Sequence, residues 1–250
     1  MTAAPSCSVL GDRGVSRSPG AMPAAVTFDL DDTLYDQASW LDGAWRQVAR
    51  AASSTVGADP DDTYRRLSAA AAAGSGRGGI IDSVFPRLHR EQLDMLVTAF
   101  HRYRAATLQP YAGAVATLRR LRSRGVPIGL ITDGAPGGQH NKIDALGIRS
   151  LFDVITVSDE LGRAFRKPHE RPFVKTAHAL GVSASAIIHV GDRWEKDVVG
   201  ARAAGYLGVI RLHTGEYRGV PCRNAADVFC VPDIAAAGRL LDGGAPQPST

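Results

Sequence analysis

The stretch Thr27-Phe28-Asp29-Leu30-Asp31-Asp32-Thr33 places three carboxylates directly after an apolar run, Ala24–Phe28. Three other short apolar runs are followed by reactive residue types. Ile131 leads into Thr132-Asp133-Gly134, Ala186–Val190 leads into Gly191-Asp192, with Asp197 five residues on, and Lys167 stands in the loop after Val154–Ser158. Like charges about 4 Å apart repel by about 4 kcal/mol at an effective dielectric of about 20. If Asp29, Asp31 and Asp192 converge, either their pKa values rise or a cation sits among them. Hard oxygen donors with no nearby His or Cys favour Mg²⁺, which takes few protein carboxylates together with water and substrate phosphate. Mg²⁺ and Lys167 together would hold a phosphate dianion against these acids. Thr132 and backbone N–H groups at a helix start would hold the remaining phosphate oxygens.

Each residue also has a plainer reading. Asp31, Asp32, Thr33, Asp192 and Thr132 are all good helix N-caps, and Lys167 before Pro168 reads equally as a solvated lysine. Capping does not explain why all of them follow successive apolar runs.

The elements that would position them alternate. The apolar runs are Ala24–Leu30, Pro127–Thr132, Val154–Ser158, Ala186–Val190, Leu207–Leu212 and Asp227–Val231. They are nearly continuously apolar and carry many Val and Ile, as strands buried on both faces do. Between most of them lie helical stripes closed by glycine, such as Val115, Leu118 and Leu121 before Gly125. This order predicts an α/β fold, a doubly wound, Rossmann-like parallel sheet with its ligand at the carboxyl ends of the strands. One connection differs. Residues 36–108 hold no strand pattern but two helical stripes, Leu41, Trp45, Val48, Ala52, Val56 and Leu93, Leu96, Phe100, Tyr103, and a Gly-rich break at 74–79. An all-helical cap inserted after the first strand is expected, with core segments at 23–35 and 109–240. Trp40 and Trp45 read as packing residues within it.

The 250 residues carry a formal charge of +4, and the basic run 119–124 lacks interleaved aromatics. It reads as a solvated helix face, not a nucleic-acid surface. No apolar stretch has the length of a membrane span. Cys7, Cys222 and Cys230 are odd in number and show no CxxC spacing, so neither a disulfide framework nor a zinc site is expected, and a reducing cytoplasm fits. Residues 1–22 and 241–250 read as disordered tails, with Met22 a candidate start. A monomer or homodimer is expected.

The set "DLDDT" (29–33), "ITDG" (131–134), Lys167 in "RKPHERPF" and "GDRWEKD" (191–197) resembles the four motifs of the haloacid dehalogenase-like hydrolases over about residues 24–235. The helical insertion resembles the C1-type cap of subfamily I, and the pattern is similar to small-metabolite phosphatases. The resemblance implies Asp29 as nucleophile, Asp31 as general acid and then base, and Mg²⁺ held by Asp29, the Asp31 backbone carbonyl and Asp192. It places phosphate against Thr132, Asp133, Gly134 and Lys167, with Thr33 and Asp197 in support. Two departures stand out. Asp133 occupies a position more often Asn, and would contact the cap or Arg193; Arg166 beside Lys167 would either aid an anionic substrate or be an ordinary loop arginine. The implied activity is hydrolysis of a small phosphomonoester of the sugar phosphate or nucleotide class. Rivals are a dehalogenase, disfavoured by Asp31, a phosphomutase, and a receiver-like phosphoacceptor domain, disfavoured by the helical insertion.

Overall fold

The computed structural model describes residues 22–74, 78–223 and 225–243. Six strands form one parallel sheet: β1 (Ala25–Phe28), β2 (Ile128–Thr132), β3 (Val154–Val157), β4 (Ile187–Gly191), β5 (Gly208–Leu212) and β6 (Val228–Val231), in the order β3-β2-β1-β4-β5-β6. The two halves run outward from β1 and β4, so a crevice opens where the strand order reverses. Each expected strand is present, trimmed at its start or end by a residue or two or, for β4, moved on by one. Asp29 has left β1, although its N–H still donates to the Val190 carbonyl at 2.9 Å.

Side-chain alternation along the strands divides the core in two. On one face Val26, Phe28, Ile128, Leu130, Val190, Ile210 and Leu212 pack with α5 (Ala114–Ser123), α6 (Pro136–Ala145) and α9 (Ile234–Leu241). On the other, Ala25, Ile131, Ile187 and Val209 pack against Phe173 and Ala177 of α7 (Arg171–Leu180) and against Trp194, Val198 and Ala201. Trp194 and Val198 belong to a π turn, Trp194–Val198, that runs into α8 (Val199–Ala203), which carries Ala201.

Between β1 and α5 the described residues form four helices and no strand: α1 (Gln37–Val56), α2 (Pro60–Ala72), α3 (Ile80–Val84) and α4 (Arg90–Arg102). They hold a cluster of their own, with Trp45, Val48, Ala52, Leu67, Ile81, Val84, Phe85 and Leu96 buried in it. Asp36 caps α1 and Asp59 caps α2, each carboxylate accepting a backbone N–H of the first turn. The chain leaves the sheet at Tyr35 and returns at Pro110, and these two residues form an antiparallel bridge. Trp40 and Trp45 are buried beside Phe100, as packing residues.

Three expectations change. Cys222 and Cys230 form a disulfide, because the loop before β6 folds back beside that edge strand and brings the two Cα atoms to 6.2 Å. Separation in sequence concealed a pair that the turn creates, and the argument from cysteines for a reducing cytoplasm loses its support. The core reaches past residue 240, since Leu241 closes the α9 stripe. The tail readings for 1–21 and 244–250, and residues 75–77 of the Gly-rich break, lie outside the described residues. The basic run does lie on a solvated surface, where Arg120 and Arg124 pair with Asp242 and Arg122 pairs with Asp153.

Candidate active site

The acids of β1 and β4, the Thr132 hydroxyl and Lys167 converge at the carboxyl end of the sheet. They line one cavity of about 390 Å³ whose other walls come from α1, α3 and α4. Asp29 and Asp192 form its floor and the buried Asp197 lies just behind them, with carboxylate oxygens of all three within 4.8 Å of one another. Lys167, also buried, donates to Asp29 Oδ1 at 2.5 Å and to Asp197 Oδ1 at 2.6 Å. The second Asp197 oxygen accepts the Arg193 N–H at 3.0 Å, and His189 Nε2 lies 3.4 Å from the first. Thr33 donates to Asp29 Oδ2 at 3.3 Å. By contrast both oxygens of Asp192 are buried without a hydrogen-bond partner among the described residues.

Of the helix-capping alternatives only Asp32 finds support, its Oδ1 accepting the N–H of Gln37, the first residue of α1, at 3.0 Å. The α1 cap residue is Asp36, α6 follows Ala135 with no side-chain cap, and the turn after Asp192 has none either.

One ammonium cannot neutralise three buried carboxylates, and the titration behaviour follows from that imbalance. Burial pushes Asp29 up to about 7, against the pull of Lys167 and with a further push from Asp197. Burial also pushes Asp192 well above the usual carboxylate range, reinforced by the charges of Asp197 and Asp29. Asp197 goes the other way: burial raises it, but Lys167 and His189 outweigh burial and hold it below its ordinary value. Lys167 is pushed up, since its two carboxylates outweigh its own burial.

Asp31 stands apart from this cluster. Its Oδ1 accepts from Lys142 Nζ at 2.8 Å and from the Tyr35 hydroxyl at 2.5 Å. Its Oδ2 accepts from Lys142 at 3.0 Å and from Gln139 Nε2 at 3.1 Å. Burial raises the Asp31 carboxyl, but Lys142 and the hydrogen bonds outweigh it, so the group lies below its usual value. The Asp31 side chain is therefore not one of the clustered carboxylates that could hold a metal; Asp197 takes that place in the cluster.

Asp133 turns away from both the cap and Arg193. It accepts from the Ser158 hydroxyl at 2.7 Å and the Lys167 N–H at 3.0 Å through one oxygen, and from Lys196 Nζ at 2.9 Å through the other. Its role is to brace the lysine loop, and Lys196 supplies the charge that makes Asp suitable where Asn would serve. Arg166 is committed to Asp159, with bonds of 2.5 and 2.6 Å, though it also borders the cavity. The Gly134 backbone faces the same Asp159 carboxylate. Thr132 is buried and accepts from Gln139 Nε2.

Residues not singled out from sequence are Tyr35, Gln139, Lys142, Ser158 and His189. Gln139 and Lys142 had a readable signal: two long polar residues at i and i+3 share one face of α6, and it is the face that meets Asp31.

The sequence profile of the haloacid dehalogenase-like hydrolases spans residues 23–205, and this chain belongs to that family. It is 33% identical over 231 residues to the glyceraldehyde 3-phosphate phosphatase of Methanopyrus kandleri, covering 88% of this chain and 97% of the relative. It is 31% identical over 199 residues to the phosphoglycolate phosphatase of Xylella fastidiosa, covering 78% and 82%. The crystal structure of a HAD phosphatase from Thermococcus onnurineus shares the fold, with a TM-score of 0.61 at 24% identity over 88% of this chain and 98% of that one. Membership in this family sets aside the receiver-like alternative. Among the described residues no helix is long and apolar enough to cross a membrane.

Proposed function

We propose that the protein is a Mg²⁺-dependent phosphatase of small phosphomonoesters, working through an aspartyl-phosphate on Asp29. The observation that carries this reading is the cavity floor with Asp197 behind it: three buried carboxylates against one buried ammonium. That donor set has a net charge of −2, all-oxygen ligands, and one carboxylate with both oxygens bare. It fits a hard divalent cation, which Asp29 and Asp192 would hold with help from the Asp31 backbone carbonyl. When bound, Mg²⁺ would neutralise phosphate charge and offset the repulsion among the acids.

The chain's own residues divide the remaining work. Asp29 attacks phosphorus and displaces the alcohol, which splits one hard step into two. Lys167 draws phosphate oxygens toward Asp29 and is itself held by Asp197. Asp31, held by Lys142, Tyr35 and Gln139 and not by Lys167, serves as proton donor to the departing alkoxide, then as acceptor from the attacking water. Both curated relatives described above are named as phosphatases of small phosphorylated compounds, and the paired acids Asp29 and Asp31 disfavour a dehalogenase. Residues 36–108 are inferred to act as a cap that closes over Asp29 and selects the non-phosphate part.

The test is phosphate release from a panel including glyceraldehyde 3-phosphate, phosphoglycolate, sugar phosphates and nucleotides, with and without Mg²⁺. Asp29→Asn is expected to abolish turnover with the fold intact. Substantial activity in that variant, or equal activity in chelator, refutes the reading.

A further inference from the structure

Lys142 is buried, and sequence reading gives it no role. Its ammonium bonds both oxygens of Asp31 and lies 4.4 Å from the ring centre of Trp40, which belongs to α1 of the helical insertion. No other ion pair of Lys142 is found among the described residues. The amine thus bridges two parts of the protein that must cooperate: the carboxylate assigned to proton transfer and the first helix of the inserted segment.

Asp31 accepts from four donors, two of them from this one amine. These bonds fix the orientation of the carboxyl, and Lys142 supplies two of the four. Tyr35 follows Asp31 by four residues, and Gln139 is tied to Thr132. Lys142 also lies against Trp40 of the inserted helices, so movement of Trp40 acts on it directly. We propose that Lys142 is a positioning residue for Asp31, aligning that carboxyl for proton transfer and coupling its alignment to the helical insertion through Trp40. This rests on the phosphatase reading above.

In the first half-reaction an Asp29 oxygen forms the bond to phosphorus and the bond from phosphorus to the alcohol oxygen breaks. The electron pair stays on that oxygen, and the Asp31 proton neutralises it. Negative charge develops on Asp31 in this step, beside the Lys142 ammonium, which stabilises it as it forms. In the second half water attacks phosphorus and gives a proton to Asp31, while the bond from phosphorus to the Asp29 oxygen breaks and its electron pair returns to the Asp29 carboxylate. A leaving group that is stable as an anion, such as p-nitrophenolate, needs no proton and so no aligned Asp31.

The experiment compares kcat/KM for an alkyl phosphomonoester and for p-nitrophenyl phosphate in wild type, Lys142→Met and Trp40→Leu. This parameter reports steps through alcohol departure and leaves out hydrolysis of the aspartyl-phosphate. Lys142→Met is expected to lower the alkyl value at least tenfold more than the aryl value, and Trp40→Leu to shift the ratio the same way by less. Adding Lys142→Met to Asp31→Asn should change the ratio little further, because both act through one carboxyl. Equal losses for the two substrates would make Lys142 merely structural and overturn the proposal. Inactivity of the wild type toward every phosphomonoester would instead refute the phosphatase reading. The pairing is checked without turnover by melting at pH 8. Lys142→Met leaves a buried carboxylate without its ammonium, so the double variant with Asp31→Asn should melt above the single one. A double variant that melts no higher overturns the coupling of the pair.

Discussion

Replacing Asp192 by Asn should make the metal-free protein more stable. The carboxylate oxygens of Asp29, Asp192 and Asp197 lie within 4.8 Å of one another. At that separation each like-charged pair repels by about 3.5 kcal/mol at an effective dielectric of about 20. Losing the Asp192 charge removes two such repulsions, and the attraction to Lys167 that is lost with it is the weakest of the influences on this group. An unpartnered amide costs about 1–3 kcal/mol, but the carboxylate oxygens it replaces already lack partners. The wild type limits its own penalty by binding a proton at Asp192, so the net gain should be about 2 kcal/mol at pH 8. For a chain of this size that is about 4–8 °C in Tm. The sign in pH is fixed. A carboxyl whose folded pKa is raised supports the fold fully below its unfolded value of about 3.9, and that support is lost as pH rises through the folded value. Asp192, and Asp29 with its value of about 7, therefore make the metal-free wild type less stable from about pH 4 upward. The variant's advantage should be larger at pH 8 than at pH 5. Thermal melts at both pH values in chelator, and then with added Mg²⁺, read this out. Mg²⁺ should raise the wild-type Tm by binding linkage, and the variant should lose most of that rise. A variant that melts below wild type at pH 8 in chelator, or that keeps the full Mg²⁺ shift, would refute the electrostatic account of the cavity floor.

Further predictions concern the supports of that floor. Asp197→Ala leaves Lys167 with a single carboxylate and should cost about 3–5 kcal/mol in urea unfolding at pH 7. Because Asp197 lies below its ordinary value, its contribution is present above about pH 4 and lost as pH falls through its folded value, so the gap to wild type should narrow on acidification. Gly191→Ala would place a methyl 2.5 Å from Asp197 Cγ. With Asp197 held on both oxygens it has no room to yield, and a loss of about 1–3 kcal/mol is expected, together with slower turnover; a neutral result would show slack that the packing does not have. Asp133→Asn keeps the oxygen that accepts from Ser158 and the Lys167 N–H but loses the charge pair with Lys196. A partly exposed pair is worth about 0–1 kcal/mol, so kcat/KM should stay within about fivefold of wild type, and a far larger loss would assign Asp133 a direct role.

Much of this protein is written in local patterns. Largely apolar runs in β1, β2, β4 and β5 reflect strands covered on both faces, and glycine-terminated helical stripes between them imply parallel crossovers. From that follows the edge where ligands bind, and so the convergence of Asp29, Thr132, Lys167 and Asp192 could be read before any coordinates. What the sequence could not assign is which carboxylate each cation would meet. Lys142 and Lys167 are both lysines near the same acids. Lys167 reaches Asp29 and Asp197 from the loop after β3, whereas Lys142 reaches Asp31 only because α6 turns its Gln139–Lys142 face inward against β1. The same holds for Cys222 and Cys230, joined when a loop folds back along the edge strand, and for Asp133, whose partner Lys196 lies 63 residues away. Residue type and spacing dictate the elements and the end of the sheet at which the chemistry gathers, because those depend on neighbours in the chain. Pairing among buried charges depends on distances between elements, and only tertiary packing sets them.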